Sequence, residues 1–346
     1  MISPLFNHLL IPFILAMFLA ITMGGSGTGP AFSAAYGANV IRKSLIPGLF
    51  GIMVFLGAII AGKGTASTMG KELLSAEMMS LPVVSIILFS VAISLLVANL
   101  AGIPQSTSQA TVLSVTAVAL YFNNLNTDKL LLEIIPTWFI LPIVSFFVSL
   151  FLGKYIYRPM RRRGYTLPRA TNANLKPVWN GLLVVMSLYV AFSIGANNVA
   201  NAAGPIAAMT ANELNINMED NFILIMTIST LIVAPCFGIG SSIFGHKIVK
   251  NTGKEIVLFG KFEAVIIAFV SASLLLLASL IKGIPSSLVQ LNVAAILGIG
   301  VAKLGVKNIF KKTSVRNFFL MWIIAPIIAF SLSLLLIFLA DKCGYL

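Results

Sequence analysis

The chain has 346 residues, of which 58% are hydrophobic and 10% charged, and its formal net charge is +13. Soluble domains carry about 25% charged residues, so this composition excludes a chain that covers its own surface with polar groups in water. Cys236, Cys343, His8 and His246 are too few for a disulfide framework or a histidine metal site.

Ten apolar stretches follow in chain order: 8–40, 45–62, 82–99, 104–122 and 131–152, then 178–212, 222–246, 258–281, 285–303 and 317–340. A helix crosses the hydrocarbon core with roughly 20 apolar residues. The pattern predicts an all-α polytopic protein of a cell (inner) membrane, in contact with the lipid bilayer on many faces. The first stretch is not read as a cleaved leader. No Lys or Arg precedes Arg42, and the segment matches one in the middle of the chain.

The two halves resemble each other, in the same order, at four places. Ala20-Ile21-Thr22-Met23-Gly24-Gly25-Ser26 aligns with Ala191-Phe192-Ser193-Ile194-Gly195-Ala196-Asn197. Gly62 and Thr68-Met69-Gly70-Lys71-Glu72 align with Gly245 and Asn251-Thr252-Gly253-Lys254-Glu255. Gly102-Ile103-Pro104-Gln105-Ser106 aligns with Gly283-Ile284-Pro285-Ser286-Ser287, and Gln109 then aligns with Gln290. The reading is a first repeat over 1–152, a basic cytoplasmic connector over 153–177, and a second repeat over 178–346. Five crossings per half is an odd number, so the second repeat enters inverted. With the connector inside, 18 of the 23 basic residues fall on inner loops and span ends, and eight of the ten acidic residues fall outside. That asymmetry is the positive-inside pattern. It accounts for the net charge without a nucleic-acid partner.

Two features point to a binding site. The first stretch of each half is too long for one plain helix, and each contains polar or glycine-rich sequence: Gly24, Ser26, Gly27 and Thr28 in one, Gly195, Asn197, Asn198 and Asn201 in the other. The expectation is a helix break in each half, lining a cavity where broken backbone finds partners. The fourth stretch of each half opens Gly-Ile-Pro and then runs into Gln105-Ser106-Thr107-Ser108 or Ser286-Ser287. Pro followed by Ser and Thr marks a helix start. Two helix N-termini facing each other offer unpaired N–H groups and partial positive charge, a cage for an anion. Gln109 and Gln290 serve either as cage residues or as a bond between helices. Gly24 and Gly195 equally fit close helix packing.

Gly195-Ala196-Asn197-Asn198-Val199-Ala200-Asn201-Ala202 resembles the Gly-Ala-Asn-Asp-Val-Ala-Asn-Ala signature of the inorganic phosphate transporter (PiT) family, and Pro104-Gln105-Ser106-Thr107-Ser108-Gln109 resembles its Pro-x-Ser-Thr-Thr-His element. The resemblance covers nearly the whole chain and implies a secondary transporter with an inverted repeat. Asn198 stands where phosphate members carry Asp, and 24–30 holds neither Asp nor Asn. In phosphate members those aspartates are linked to sodium, so sodium coupling is in question. Gly-x-Ser-Gly with Gly-Ala-Asn-Asn is similar to the sulfate permease branch of the family, the CysP type.

A physical argument agrees. Phosphate at neutral pH keeps a proton that a carboxylate can accept, whereas sulfate has none and is repelled by a buried carboxylate. The predicted cage holds hydroxyls, amides and N–H groups only. Sulfate is therefore the expected oxyanion ahead of phosphate, with thiosulfate as a relative. Uptake is expected by alternating access, coupled to H+, with Glu263 and then His246 as titratable candidates. The other readings are a sodium-coupled phosphate symporter and a passive anion channel. No enzyme chemistry and no cofactor are expected: no nucleophile–base pair, metal cluster or nucleotide loop is legible. The oligomeric state stays open, a homodimer included.

Overall fold

Backbone amides in hydrocarbon need internal partners, and helices supply them residue by residue. In the computed structural model, which describes residues 4–101, 105–159, 176–251, 260–311 and 313–346, the chain is helical along almost all of that length. The first half forms α1 (Pro4–Gly37), α2 (Ile46–Ala61), α3 (Lys63–Ser67), α4 (Leu81–Ala101), α5 (Thr107–Tyr121) and α6 (Ile135–Leu152). Single π-helical turns extend α3 over Thr68–Glu72 and flank α6 over Lys129–Ile134 and Gly153–Tyr157. The second half forms α7 (Lys176–Asn198), α8 (Ala200–Glu213), α9 (Met218–Asn251), α10 (Lys261–Ile281), α11 (Leu288–Leu304), α12 (Val306–Phe310) and α13 (Thr313–Lys342).

Among the described residues, eight helical runs are long and apolar enough to cross a membrane. The ten predicted stretches therefore do not all become full spans. The fourth of each half, α5 and α11, has 15 and 17 residues. At 1.5 Å per residue they reach about 22–25 Å, short of a roughly 30 Å core. The first turns of both, and nearly all of their length, are buried. Each begins inside the protein rather than at a membrane surface.

The halves interlock. α1 lies along α9 and α2 along α7, which makes a four-helix centre. α4 leans on α1, and α5 is closed by α13 from the other half. α10 leans on α7, and α11 is closed by α6 from the other half. The same partnerships thus recur with the halves exchanged. Serines stitch both flanks: Ser94 donates to the Ala325 carbonyl (2.8 Å) and Ser114 pairs with Ser333 (2.5 Å), while Ser145 donates to the Leu291 carbonyl (2.8 Å). At one end Leu74 bridges Leu125, and Lys129 pairs with Glu72 (2.8 Å) and Glu133 (3.0 Å). At the other end Arg158 grips the Ala302 carbonyl and Lys303 pairs with Glu263.

The break expected at 24–30 does not occur: α1 is one continuous helix with Pro30 inside it. Its polar side chains bond back to their own turn, Ser26 to the Met23 carbonyl (3.1 Å) and Thr28 to the Gly24 carbonyl (2.7 Å). The glycines serve contact between helices. A Cβ on Gly24 would overlap the backbone of Phe237 in α9, and one on Gly240 would overlap the carbonyl of Ile21. α2 and α7 cross in the same way, with Gly57 against Phe192 and Gly195 against Val54. Gly27 faces the Phe50 ring. In the second half the interruption is slight. α7 ends at Asn198 and α8 starts at Ala200, while Val199 keeps helical angles (φ −60°, ψ −34°).

These crossings set a test. Gly195→Val should cost at least about 2 kcal/mol, because the obstruction is backbone that cannot rotate away. Gly48→Ala, whose Cβ would meet nothing within 4 Å, should melt like the parent protein in detergent. Equal melting of both variants would refute the packing account.

Candidate functional site

The site is built from two helix starts and one carboxamide. Ser106 caps α5 and Ser287 caps α11, each in extended conformation. Each hydroxyl accepts the amide of the residue three along: Gln109 N to Ser106 Oγ (3.3 Å) and Gln290 N to Ser287 Oγ (3.3 Å). A Ser or Thr cap relieves one of the four first-turn N–H groups that a helix cannot satisfy itself. Among the described residues, no backbone carbonyl takes the amides of Thr107, Ser108, Leu288 or Val289. The two starts meet through their glutamines. Gln109 Nε2 donates to Gln290 Oε1 (3.2 Å), and Gln290 Nε2 donates to Gln109 Oε1 (2.8 Å). Ser106 and Ser287, both buried, are thus held close by a bond one turn beyond each cap.

Asn197 locks the approach to α11. Its Nδ2 donates to Ser279 Oγ (2.8 Å) and the Ile284 carbonyl (3.0 Å), and its Oδ1 accepts from Ser286 N (3.0 Å) and Ser108 Oγ (3.3 Å). A carbonyl can only accept and an amide N–H can only donate, so these partners fix which way the carboxamide points. Gly283 turns the chain into this strap at φ +60°, where a Cβ would strike the backbone of Gly64. Trp138 Nε1 holds the Pro285 carbonyl (2.9 Å). Pro285 therefore sits ahead of the helix cap, not in the first turn of α11. The equivalent Gly102-Ile103-Pro104 lies outside the described residues.

The structure brings Gln105, Ser106, Thr107, Ser108, Gln109, Asn197, Asn201, Ser286, Ser287 and Gln290 into one buried region. Asn201 Nδ2 donates to Ser108 Oγ (3.2 Å), and Gln105 Nε2 donates to Ser94 Oγ (3.1 Å). All of these side chains are uncharged. Asn197 differs from its expected role. Both its donors and its acceptor are committed to protein, so it positions the strap and has nothing left for a ligand. Ser286 Oγ, Gln105 Oε1 and Asn201 Oδ1 are buried without a partner, and so is Asn198 Oδ1.

Other expectations fall elsewhere. Ser26, Thr28, Gly24 and Gly27 belong to the α1 packing face described above, and Gly195 to the α7 crossing, so none of them marks a helix break. Glu263 is far from the glutamine pair. It touches Lys303, 13 residues beyond Gln290 along α11, which at 1.5 Å per residue is about 20 Å. Its Oε1 meets Lys303 Nζ (2.8 Å) and its Oε2 accepts the Gly260 amide at the start of α10 (3.1 Å). That is a helix cap and an ion pair. The side chain of His246 lies outside the described residues. Sequence reading passed over Ser279, Ser94 and Asn99; Asn99 Nδ2 donates to the Thr22 carbonyl (2.7 Å). The available signal was a polar residue in the last turns of an apolar helix just before Gly-Ile-Pro. A groove of about 930 Å³ between α2 and α9, lined by Gly51, Ile52, Leu231 and Gly238 among others, shares no residue with this region.

A profile described as the phosphate transporter family matches residues 23–333. The chain belongs to that family. Among its relatives in the phosphate transporter family, the sulfate permease CysP of Bacillus subtilis (strain 168) is 32% identical, over 96% of this chain and 88% of that protein. A putative phosphate permease of Pyrococcus abyssi is 24% identical, over 93% and 95%. The solved structure of a sodium-dependent phosphate transporter shares the fold, with TM-score 0.81, 21% identity and coverage of 97% and 99%. This phosphate transporter family member is accordingly a multi-pass permease of the cell membrane for an inorganic anion.

Two measurements check the local assignments. Asn197→Ala should destabilise the protein by at least about 3 kcal/mol, since several buried groups lose their partner at once. Asn198→Ala should cost about 1 kcal/mol or less, its oxygen being unpartnered already. Glu263→Gln should cost about 1–3 kcal/mol by weakening its bond to Lys303, and Glu263→Gln with Lys303→Met should recover most of that. Thermal unfolding in detergent reads all four, and no recovery in the double variant would count against the ion pair.

Proposed function

We propose that this permease imports sulfate by alternating access, with thiosulfate as a related substrate. The observation that carries the reading is the donor set around the joined starts of α5 and α11. Among the described residues it holds hydroxyls, carboxamides and free backbone N–H groups, and no carboxylate. A fully deprotonated dianion accepts from those N–H and O–H groups that the protein leaves free and has no proton to give back. The 32% identity to a sulfate permease supports the same substrate. The site lies where two flanks, α4–α5–α13 and α10–α11–α6, come together across the four-helix centre. We infer that 1–152 and 178–346 are inverted repeats. The exchange of packing partners between them supports this, and the positive-inside rule puts the Arg158 and Lys303 end in the cytoplasm.

Inward movement of a dianion against a negative interior costs about 2.3 kcal/mol per charge per 100 mV, so cations must accompany it. Protons are the first choice, although Glu263 is engaged as a cap and does not support a relay. A second reading, sodium-coupled phosphate symport, is favoured by four buried carboxamide oxygens without donors, on Asn99, Gln105, Asn198 and Asn201. The fold shared with a sodium-dependent phosphate transporter points the same way. Uptake of labelled sulfate into proteoliposomes decides between them. The sulfate reading expects weak competition by phosphate and drive by an inward proton gradient. Phosphate competing as well as sulfate, with a strict need for sodium, would reverse it. Uptake that follows membrane potential alone would indicate a channel.

A further inference from the structure

The glutamine pair does more than join two helices. Gln109 and Gln290 are both the third residue after a serine cap, and their backbone amides are already taken by those caps. A carboxamide owns two N–H groups and one oxygen. The reciprocal pair uses one N–H and the oxygen of each residue. One N–H per glutamine is left over, and no side chain among the described residues takes it. The surplus is donors, two of them, at the point where the two helix starts converge. The pair is also slightly less deeply buried than the lock. Gln109 is 7% exposed and Gln290 5%, whereas Ser108, Asn197 and Asn201 are all at 0%.

We propose that the Gln109–Gln290 pair is the specificity-determining element of the site, selecting oxyanions that carry no proton. This rests on the anion-permease reading above and adds a residue-level cause to it. A neutral carboxamide pair gives two N–H donors to a bare dianion at any pH, because neither residue titrates. A carboxylate in either position would keep one bond of the pair, lose the other, and place a negative charge beside the ion. Sulfate has no means of relieving that repulsion. Hydrogen phosphate has one, since its P–O–H donates to the carboxylate oxygen.

The experiment compares labelled sulfate and labelled phosphate uptake in proteoliposomes holding the full chain, at neutral pH and as pH is lowered. Gln109→Glu and Gln290→Glu should each cut sulfate uptake by about thirtyfold or more at neutral pH. Phosphate uptake should hold or rise, so the sulfate-to-phosphate ratio collapses. Sulfate uptake should recover as pH falls and the new carboxyl is neutralised. The double variant Gln109→Met with Gln290→Met keeps volume and removes both donors; its sulfate KM should rise about tenfold or more with little change in melting. An unchanged ratio in the folded glutamate variants, or an unchanged KM in the methionine variant, would overturn the proposal. If the glutamate variants do not fold, the methionine variant decides alone. A parent protein that takes up no sulfate would instead remove the underlying reading, whatever the glutamines do.

Discussion

One carboxamide holds the site in register. Asn197 reaches from α7 to the last turns of α10, to the strap before α11 and to the first turn of α5 with four hydrogen bonds. No other described residue ties the two short helices to the four-helix centre so directly. Remove it, and the strap at 283–287 keeps only Trp138 on the Pro285 carbonyl and its own bond to Ala278, so the cap at Ser287 and the glutamine pair lose a support. In a medium where an unmet amide costs several kcal/mol, a saturated carboxamide is a strong positional device that needs no charge.

Absence of charge runs through the whole described region. The ionisable residues collect at the two ends, as Glu72 with Lys129 and Glu133, and as Glu263 with Lys303. The middle is served by serine, threonine, asparagine and glutamine. Partial charges from two helix starts take the place of lysine or arginine. On the reading proposed above, such a site would attract an anion without gripping it as tightly as a cationic side chain would, which suits a carrier that must release its cargo on the far side.

Sequence reading reached the helix starts because their determinants are local. Gly-Ile-Pro followed by hydroxyls announces a turn and a cap, and the caps at Ser106 and Ser287 are where that signal puts them. It went wrong at 24–30, where composition alone cannot tell a break from a contact face. Gly24 and Gly27 are glycine because α9 and the Phe50 ring lie against them, a fact stored in residues about 200 positions and 25 positions away. Asn197 was legible as a polar residue in need of partners, but the partners come from three separate segments, so its role as a lock rather than a ligand was not. Glu263 had the opposite problem: a lone carboxylate in an apolar run draws notice, and only the fold shows Lys303 waiting for it 40 residues on.

The exchange of packing partners has a consequence for how the chain is made. α5 is closed by α13, a helix made roughly two hundred residues later. Until that helix arrives, the face of α5 that later meets Ser333 is covered by lipid or by the insertion machinery, and Ser114 has the Ile87 carbonyl (3.3 Å) without its second partner. The first half therefore cannot mature ahead of the second. Loss of α13 would uncover a helix laid down roughly two hundred residues before it.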